Sequence, residues 1–147
     1  MESWAPKRIV VGIDGSDQSR RAASVAAGLA RTHGARLTVL TVVRPPEGWW
    51  GIVGSPPPAD AVAASMMRAQ RSVLDATLSQ IDTSGLDLEA SEEIGDPAAK
   101  LIEVCRDDDT DLLVVGRRGA GTVERMVLGS VADRLAHHAP CPLLIVP

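Results

Sequence analysis

The stretch Arg8-Ile-Val-Val-Gly-Ile13, followed at once by Asp14-Gly-Ser16, decides the fold. From Ile9 onward the run is apolar without alternation, short and β-branched, the pattern of a strand covered on both faces. Asp14-Gly-Ser16 breaks it, and Ser16 is a good N-cap for a helix that carries Ala22, Val25, Ala26 and Leu29 at helical spacing. Gly34 stops that helix.

Outward from this start the same order recurs. Leu37-Thr-Val-Leu-Thr-Val-Val43 reads as a second buried strand. The segment 44–59 holds five of the ten prolines together with Trp49 and Trp50, so it is predicted to be an irregular loop. A loop of that length inside a compact domain is usually functional or mobile. Asp60 opens a second helix, with Val62, Met66, Ala69 and Val73 on one face. Leu86, Leu88 and Ala90 alternate with Asp87, Glu89 and Ser91, which describes a strand with one wet face, at a sheet edge. Asp96-Pro97 is an N-cap followed by proline at the first helical position, and Ala98, Leu101, Ile102 and Cys105 form the stripe of a third helix.

Asp111-Leu-Leu-Val-Val-Gly116 is the fourth strand. A glycine-containing loop runs from Arg117 to Gly129, with a helical turn expected around Thr122 to Met126. Ser130 is expected to cap a last helix carrying Val131, Leu135 and Ala136, and Pro142-Leu-Leu-Ile-Val-Pro147 is the fifth strand. Strict alternation of strand and helix predicts an α/β fold, a parallel sheet with helices on both faces and right-handed crossovers, in one domain spanning 1–147. In such sheets ligands bind beyond the carboxyl ends of the strands, where strand order reverses. That rule selects the loops after Ile13, Val43 and Val115.

Composition narrows the function classes. The chain has 147 residues, enough for a single core. With three Trp and no Phe or Tyr, that core must be aliphatic. The net charge of −4 gives no basic footprint for nucleic acid, and any phosphate site must depend on local groups. Residues 1–7 lack the apolar core of a signal peptide, and no stretch approaches the roughly 20 apolar residues that span a bilayer. A cytoplasmic location without membrane association is the expectation. Cys105 and Cys141 form no CxxC pair and no zinc pattern.

The segment Gly116-Arg-Arg-Gly119-Ala-Gly121-Thr-Val-Glu-Arg-Met-Val-Leu-Gly129-Ser130 carries the chemistry. Gly116 and Gly119 let backbone amides approach a ligand without Cβ interference. Gly129-Ser130 stands at the start of the last helix, where free amides and the positive end of the helix dipole make an anion site. The Ser130 hydroxyl can cap the helix or donate to a phosphate, and Arg117, Arg118 and Arg125 add positive charge. The alternative is that these glycines only shape a strand-to-helix connection. The segment is neither a Walker A loop nor a dinucleotide fingerprint.

Gly116, Gly119, Gly129 and Ser130 stand at the spacing G-x2-G-x9-G-(S/T). With Ile9-Val-Val-Gly-Ile-Asp14-Gly-Ser16 at the front and Pro140-Cys-Pro-Leu-Leu-Ile-Val-Pro147 at the end, nearly the whole chain resembles the ATP-binding universal stress proteins. The resemblance implies an open five-stranded parallel sheet of order 3-2-1-4-5, Rossmann-like and adenine nucleotide alpha hydrolase-like. By position it implies that Asp14 contacts the nucleotide near its base or ribose and that Val42 lines the adenine pocket. Gly116 and Gly119 would approach ribose and phosphates, while Gly129, Ser130 and Val131 would contact phosphate through amides and the hydroxyl. Gly12 stands where some ATP-binding members have proline. The cofactor implied is ATP with Mg2+. The strand Leu143-Leu-Ile-Val146, apolar on both faces and at a sheet edge in that order, would pair with a second copy in a homodimer.

Other residues have competing readings. Asp14 could be a turn or capping residue alone. Trp49 and Trp50 could cover the nucleotide, dock a regulatory protein partner or pack on their own domain. His137 and His138 suit the dipole at a helix C-terminus. Cys105 reads as a small buried hydrophobe. The functional expectation is a regulatory or stress-response nucleotide sensor with at most weak ATPase activity. The alternatives are a slow ATP hydrolase or nucleotidyl transferase, and a dimeric interaction module without nucleotide.

Overall fold

A computed structural model of the chain describes residues 2–44, 59–118 and 128–147. The strands are β1 (Arg8–Ile13), β2 (Arg36–Val43), β3 (Asp87–Ile94), β4 (Leu112–Gly116) and β5 (Leu143–Val146). The helices described are α1 (Asp17–His33), α2 (Ala59–Ser79), α3 (Pro97–Asp107) and α4 (Ser130–His138). All strands pair in parallel in one sheet of order β3-β2-β1-β4-β5. This is the order that the resemblance implied, and β3 lies at an edge as its alternation predicts.

β1 runs through the middle of the sheet, and its side chains divide between two faces with period two. Ile9, Val11 and Ile13 pack with the alanines of α1 and Leu74 of α2. Val10 packs on the other side with Leu40, Leu113 and Val115 against Leu101 of α3 and Leu135 of α4. Helices therefore cover both faces, α1 and α2 on one, α3 and α4 on the other. Among the described residues no helix is long and apolar enough to cross a membrane.

Local chemistry explains the element ends. Ser16 Oγ accepts the Ser19 amide at 3.2 Å to open α1, and Gly34 closes it in the left-handed region at φ 62°. The face of α1 differs from expectation. Its buried residues are Ser19, Ala22, Ala23, Ala26, Ala27 and Ala30, while Val25 is 39% exposed. A face made of alanines brings the helix axis close to the sheet, and the larger side chain turns outward. In α2 Ala69 is exposed, and among the residues whose burial is described Gln70, Leu74 and Thr77 are buried. Gln70 is buried because its Nε2 donates to the carbonyls of Thr41 and Glu93, on neighbouring strands. A buried amide is tolerated where it satisfies backbone acceptors. The stripe of α3 is as expected, with Ala98, Leu101 and Cys105 buried.

Two expectations for α4 are corrected. Gly129, not Ser130, is its N-cap, and Ser130 is the first helical residue. Ala136 is exposed, while Ala132 and Leu135 face the core.

Gly116 has a packing reason to be glycine. A Cβ there would lie 2.9 Å from both the carbonyl carbon and the Cβ of Gln18, in the first turn of α1. Backbone at that distance cannot give way cheaply. Gly116→Ala is therefore expected to destabilise the fold by about 1–3 kcal/mol, the usual cost of overpacking. Urea denaturation measures it, and an unchanged midpoint would contradict this packing account.

Candidate functional site

β1 and β4 are neighbours, yet the helices that follow them leave toward opposite faces of the sheet. Among the described residues a cavity of about 250 Å³ lies beyond the carboxyl ends of these strands. Strand order reverses here, the general location of ligands in such sheets.

The structure brings Asp14, Val42, Gly116, Gly129, Ser130 and Val131 to the wall of this one cavity. Gly119 lies outside the described residues, as do Gly121, Arg125, the turn expected at Thr122 to Met126, and Trp49 and Trp50. The apolar part of the wall comes from Leu40 and Val42 of β2, Val115 of β4 and Leu101 of α3. Asp14 is the sole carboxylate among the described lining residues, beside Arg44, Arg117 and Arg118. The cavity is thus locally cationic in a chain whose net charge is −4.

Asp14 serves the local turn as well as the cavity. Its Oδ1 accepts the Ser16 amide at 3.0 Å, and its own amide donates to Ser19 Oγ at 3.3 Å. The carboxylate is thereby fixed in place at the cavity wall.

The mouth of α4 is built differently from those of α1 and α3. Ser16 caps α1 and Asp96 caps α3 through their side chains, whereas Gly129 provides no side-chain cap hydrogen bond. The Gly129 amide donates to the Arg117 carbonyl at 2.8 Å, and the Asp133 amide returns to the Gly129 carbonyl at 2.9 Å. Between them stand the amides of Ser130, Val131 and Ala132, which the helix itself cannot satisfy. The Gly129 amide itself is held by Arg117, so the turn opens from Ser130 onward. Arg117 is pinned in turn, its amide donating to the Val146 carbonyl at 2.7 Å. The two described ends of the strand-to-helix connection are thus tied to each other and to β5.

Sequence reasoning identified Asp96 only as a helix cap. In the structure its carboxylate accepts the Ala99 amide at 2.9 Å, Arg44 Nη2 at 2.7 Å and Arg134 Nη1 at 2.6 Å. These bonds join the end of β2, the start of α3 and the body of α4 around one side of the cavity. The Ala99 amide, then the Arg134 hydrogen bond and the charges of Arg134 and Arg44, outweigh burial and hold the Asp96 carboxyl below its ordinary value. No local pattern could reveal the two arginines, which lie far away in sequence.

Cys105, Cys141, His137 and His138 are not among the described residues that line the cavity. Burial, with Cys141 beside it, pushes the Cys105 thiol up to about 12, and burial raises Cys141 as well. Neither favours the thiolate that a nucleophile needs. His137 and His138 are exposed at the C-terminal end of α4, with His137 Nδ1 at 2.8 Å from the Asp133 carbonyl. An apolar wall, an uncapped first turn of α4 and three lining arginines suit a ligand with a flat apolar part and an anionic tail.

Comparison with known proteins gives a consistent relation. Residues 6–147 match the model of the Universal stress protein family. A curated relative from Thermus aquaticus, the universal stress protein in the QAH/OAS sulfhydrylase 3′ region, is 33% identical over 95% of this chain and 98% of its own length. Among solved structures, the universal stress protein UspA from Lactobacillus plantarum is similar with a TM-score of 0.75 and 25% identity, covering 99% of this chain and 100% of that one. A universal stress protein in complex with cAMP is similar at the same TM-score of 0.75 and 28% identity, covering 98% and 99%.

The Asp96 cluster predicts an acid-dependent loss of stability. A carboxyl whose folded value is depressed contributes stability above its unfolded value and loses it as pH falls through the folded one. Asp96→Asn keeps the helix-capping oxygen but removes the charge. The melting-temperature gap between wild type and this variant is expected to be constant above about pH 5 and to shrink below the ordinary value near 3.8. A gap that persisted undiminished well below that value would refute the ionic role.

Proposed function

The chain belongs to the universal stress protein family, and from that premise we propose that it is a cytoplasmic regulatory protein that binds ATP with Mg2+ in the cavity between β1 and β4. The observation that carries this reading is the uncapped first turn of α4, whose amides at Ser130, Val131 and Ala132 open beside three arginines. Phosphate oxygens are the natural acceptors for such a turn. The similar protein in complex with cAMP supports an adenine nucleotide as the ligand class.

In this reading the triphosphate lies on the amides of Ser130 and Val131, with the Ser130 hydroxyl donating a further hydrogen bond. Gly129 contributes by lacking a side chain that would compete for those amides. Adenine takes the apolar slot at Val42 and Leu40, and Asp14 meets the ribose or base. Gly116, and Gly119 by its motif position, let the chain pass close to ribose and phosphates. Mg2+ takes most of its ligands from phosphate and water and needs few from protein, which suits a wall with one carboxylate among its described residues. The arrangement holds a nucleotide, and its output is a regulatory state passed to a protein partner. Any hydrolysis is slow.

Ser130 offers a clean test because it is exposed and lies in the first helical turn. Ser130→Glu places an acid where the helix dipole tolerates it but where a phosphate must sit. The variant is expected to melt at or above the wild-type temperature while losing at least about tenfold in ATP affinity by calorimetry. Undiminished ATP binding would remove the triphosphate from this turn. Nucleotide released from denatured wild type and resolved by anion exchange is expected to be ATP, whereas ADP with multiple turnover would favour a hydrolase.

The same reading pairs two copies through the outer edge of β5, where Leu143, Leu144 and Ile145 are only half-buried by their own chain. An uncovered apolar edge strand invites pairing, and a twofold dimer closes it. Light scattering during size exclusion at tens of micromolar is expected to give a dimer mass, and a monomer mass would eliminate the pairing.

A further inference from the structure

Arg44 follows β2 and continues the row of Leu40 and Val42 toward the rim of the cavity, which all three line. Its Nη2 lies 2.7 Å from Asp96 Oδ1, and Asp96 Oδ2 accepts Arg134 Nη1 at 2.6 Å. Arg134 stands four residues after Ser130, on the same side of α4 and about 6 Å further along its axis. Helical side chains lean toward the N-terminus, which carries the Arg134 guanidinium back toward the uncapped turn. Through Asp96, the Arg44 cation is therefore parked beside the same end of the cavity as the amides of Ser130 and Val131.

We propose that Arg44 is the residue through which the cavity reads the charge on a nucleotide's phosphate tail, with the Asp96 carboxylate as its resident competitor. The inference rests on the nucleotide reading of this cavity and adds the determinant of its preference. A carboxylate oxygen and a phosphate oxygen offer a guanidinium the same kind of charge-assisted acceptor. Without ligand, Arg44 pairs with Asp96. A long, highly charged tail competes for that guanidinium, and a monophosphate competes less.

The exchange leaves no group stranded. Asp96 keeps the Ala99 amide and Arg134 after Arg44 departs, so no unpaired carboxylate remains. The Arg44 side chain is 60% exposed, which keeps its ion pair weak enough to be traded. Asp96 is thus a positioning residue, and Arg44 is the contact that distinguishes ATP from AMP.

Calorimetric titration of AMP and of ATP into wild type, Arg44→Met, Arg44→Lys and Asp96→Asn at one salt concentration tests the proposal. Wild type is expected to bind ATP more tightly than AMP. Arg44→Met should reduce the ATP-to-AMP affinity ratio by roughly fivefold, the factor that the upper end of a surface ion pair's worth corresponds to. Arg44→Lys should restore most of the ratio, and Asp96→Asn should increase it by a similar factor. Asparagine preserves the cap of α3, and Arg44 is exposed, so the two positions give independent folded variants. If wild type binds both nucleotides and the ratio stays the same in Arg44→Met and Asp96→Asn, Arg44 does not read the tail and the nucleotide reading stands. If wild type binds neither AMP nor ATP, the nucleotide reading itself fails.

Discussion

The pairing of β1 with β4 is the constraint on which the site depends. Ile9, Val10 and Val11 align with Leu112, Leu113 and Val114, and β2 holds the other side of β1. The chain runs outward from β1 through α1 and α2 on one face and returns through α3 to β4 on the other. Right-handed crossovers leave no other arrangement for that strand order. The two strands at the reversal send their helices to opposite faces, and a cavity lies at their carboxyl ends among the described residues. Asp14 and Gly116 face one cavity because they end those two strands.

Close packing sharpens the shape of that space. The alanine face of α1 lets its first turn approach β4 until Gln18 leaves no room for a Cβ at Gly116. A glycine that reads as a ligand-approach residue is therefore already required by the helix behind it. Gly129 carries the converse lesson, since its amide is spent on Arg117 while its missing side chain leaves the next three amides open. Two residues of one spacing motif thus act for different physical reasons.

Much of this was legible in the sequence because it is local. The continuous run at Ile9–Ile13, the Ser16 and Asp96 caps and the Gly34 stop each depend on a few adjacent residues, and the structure has them as read. The faces of α1 and α2 were less legible, because helical spacing alone allows more than one apolar stripe. Val25 and Ala69 fit the period but not the partner surface, and Gln70 is buried because distant carbonyls need a donor. For the site, residue types in the Gly116–Val131 segment pointed to the cavity, but Arg44, Asp96 and Arg134 did not announce one another. Their contacts span separations of 52 and 38 residues, and only the folded sheet sets them.

Asp96 shows how one side chain can join the stability of the fold to the chemistry of the cavity. As a cap it must be an oxygen acceptor at the start of α3, and many residues could meet that need. As a carboxylate it also pairs with Arg44 after β2 and Arg134 of α4. In an acidic chain any positive charge offered to an anion has to be local and oriented, because the net field opposes such a ligand. Arginines gathered at one rim repel one another unless a counter-charge stands between them. One partly exposed carboxylate, satisfied by three donors, supplies that counter-charge and can release one arginine without losing the other two bonds.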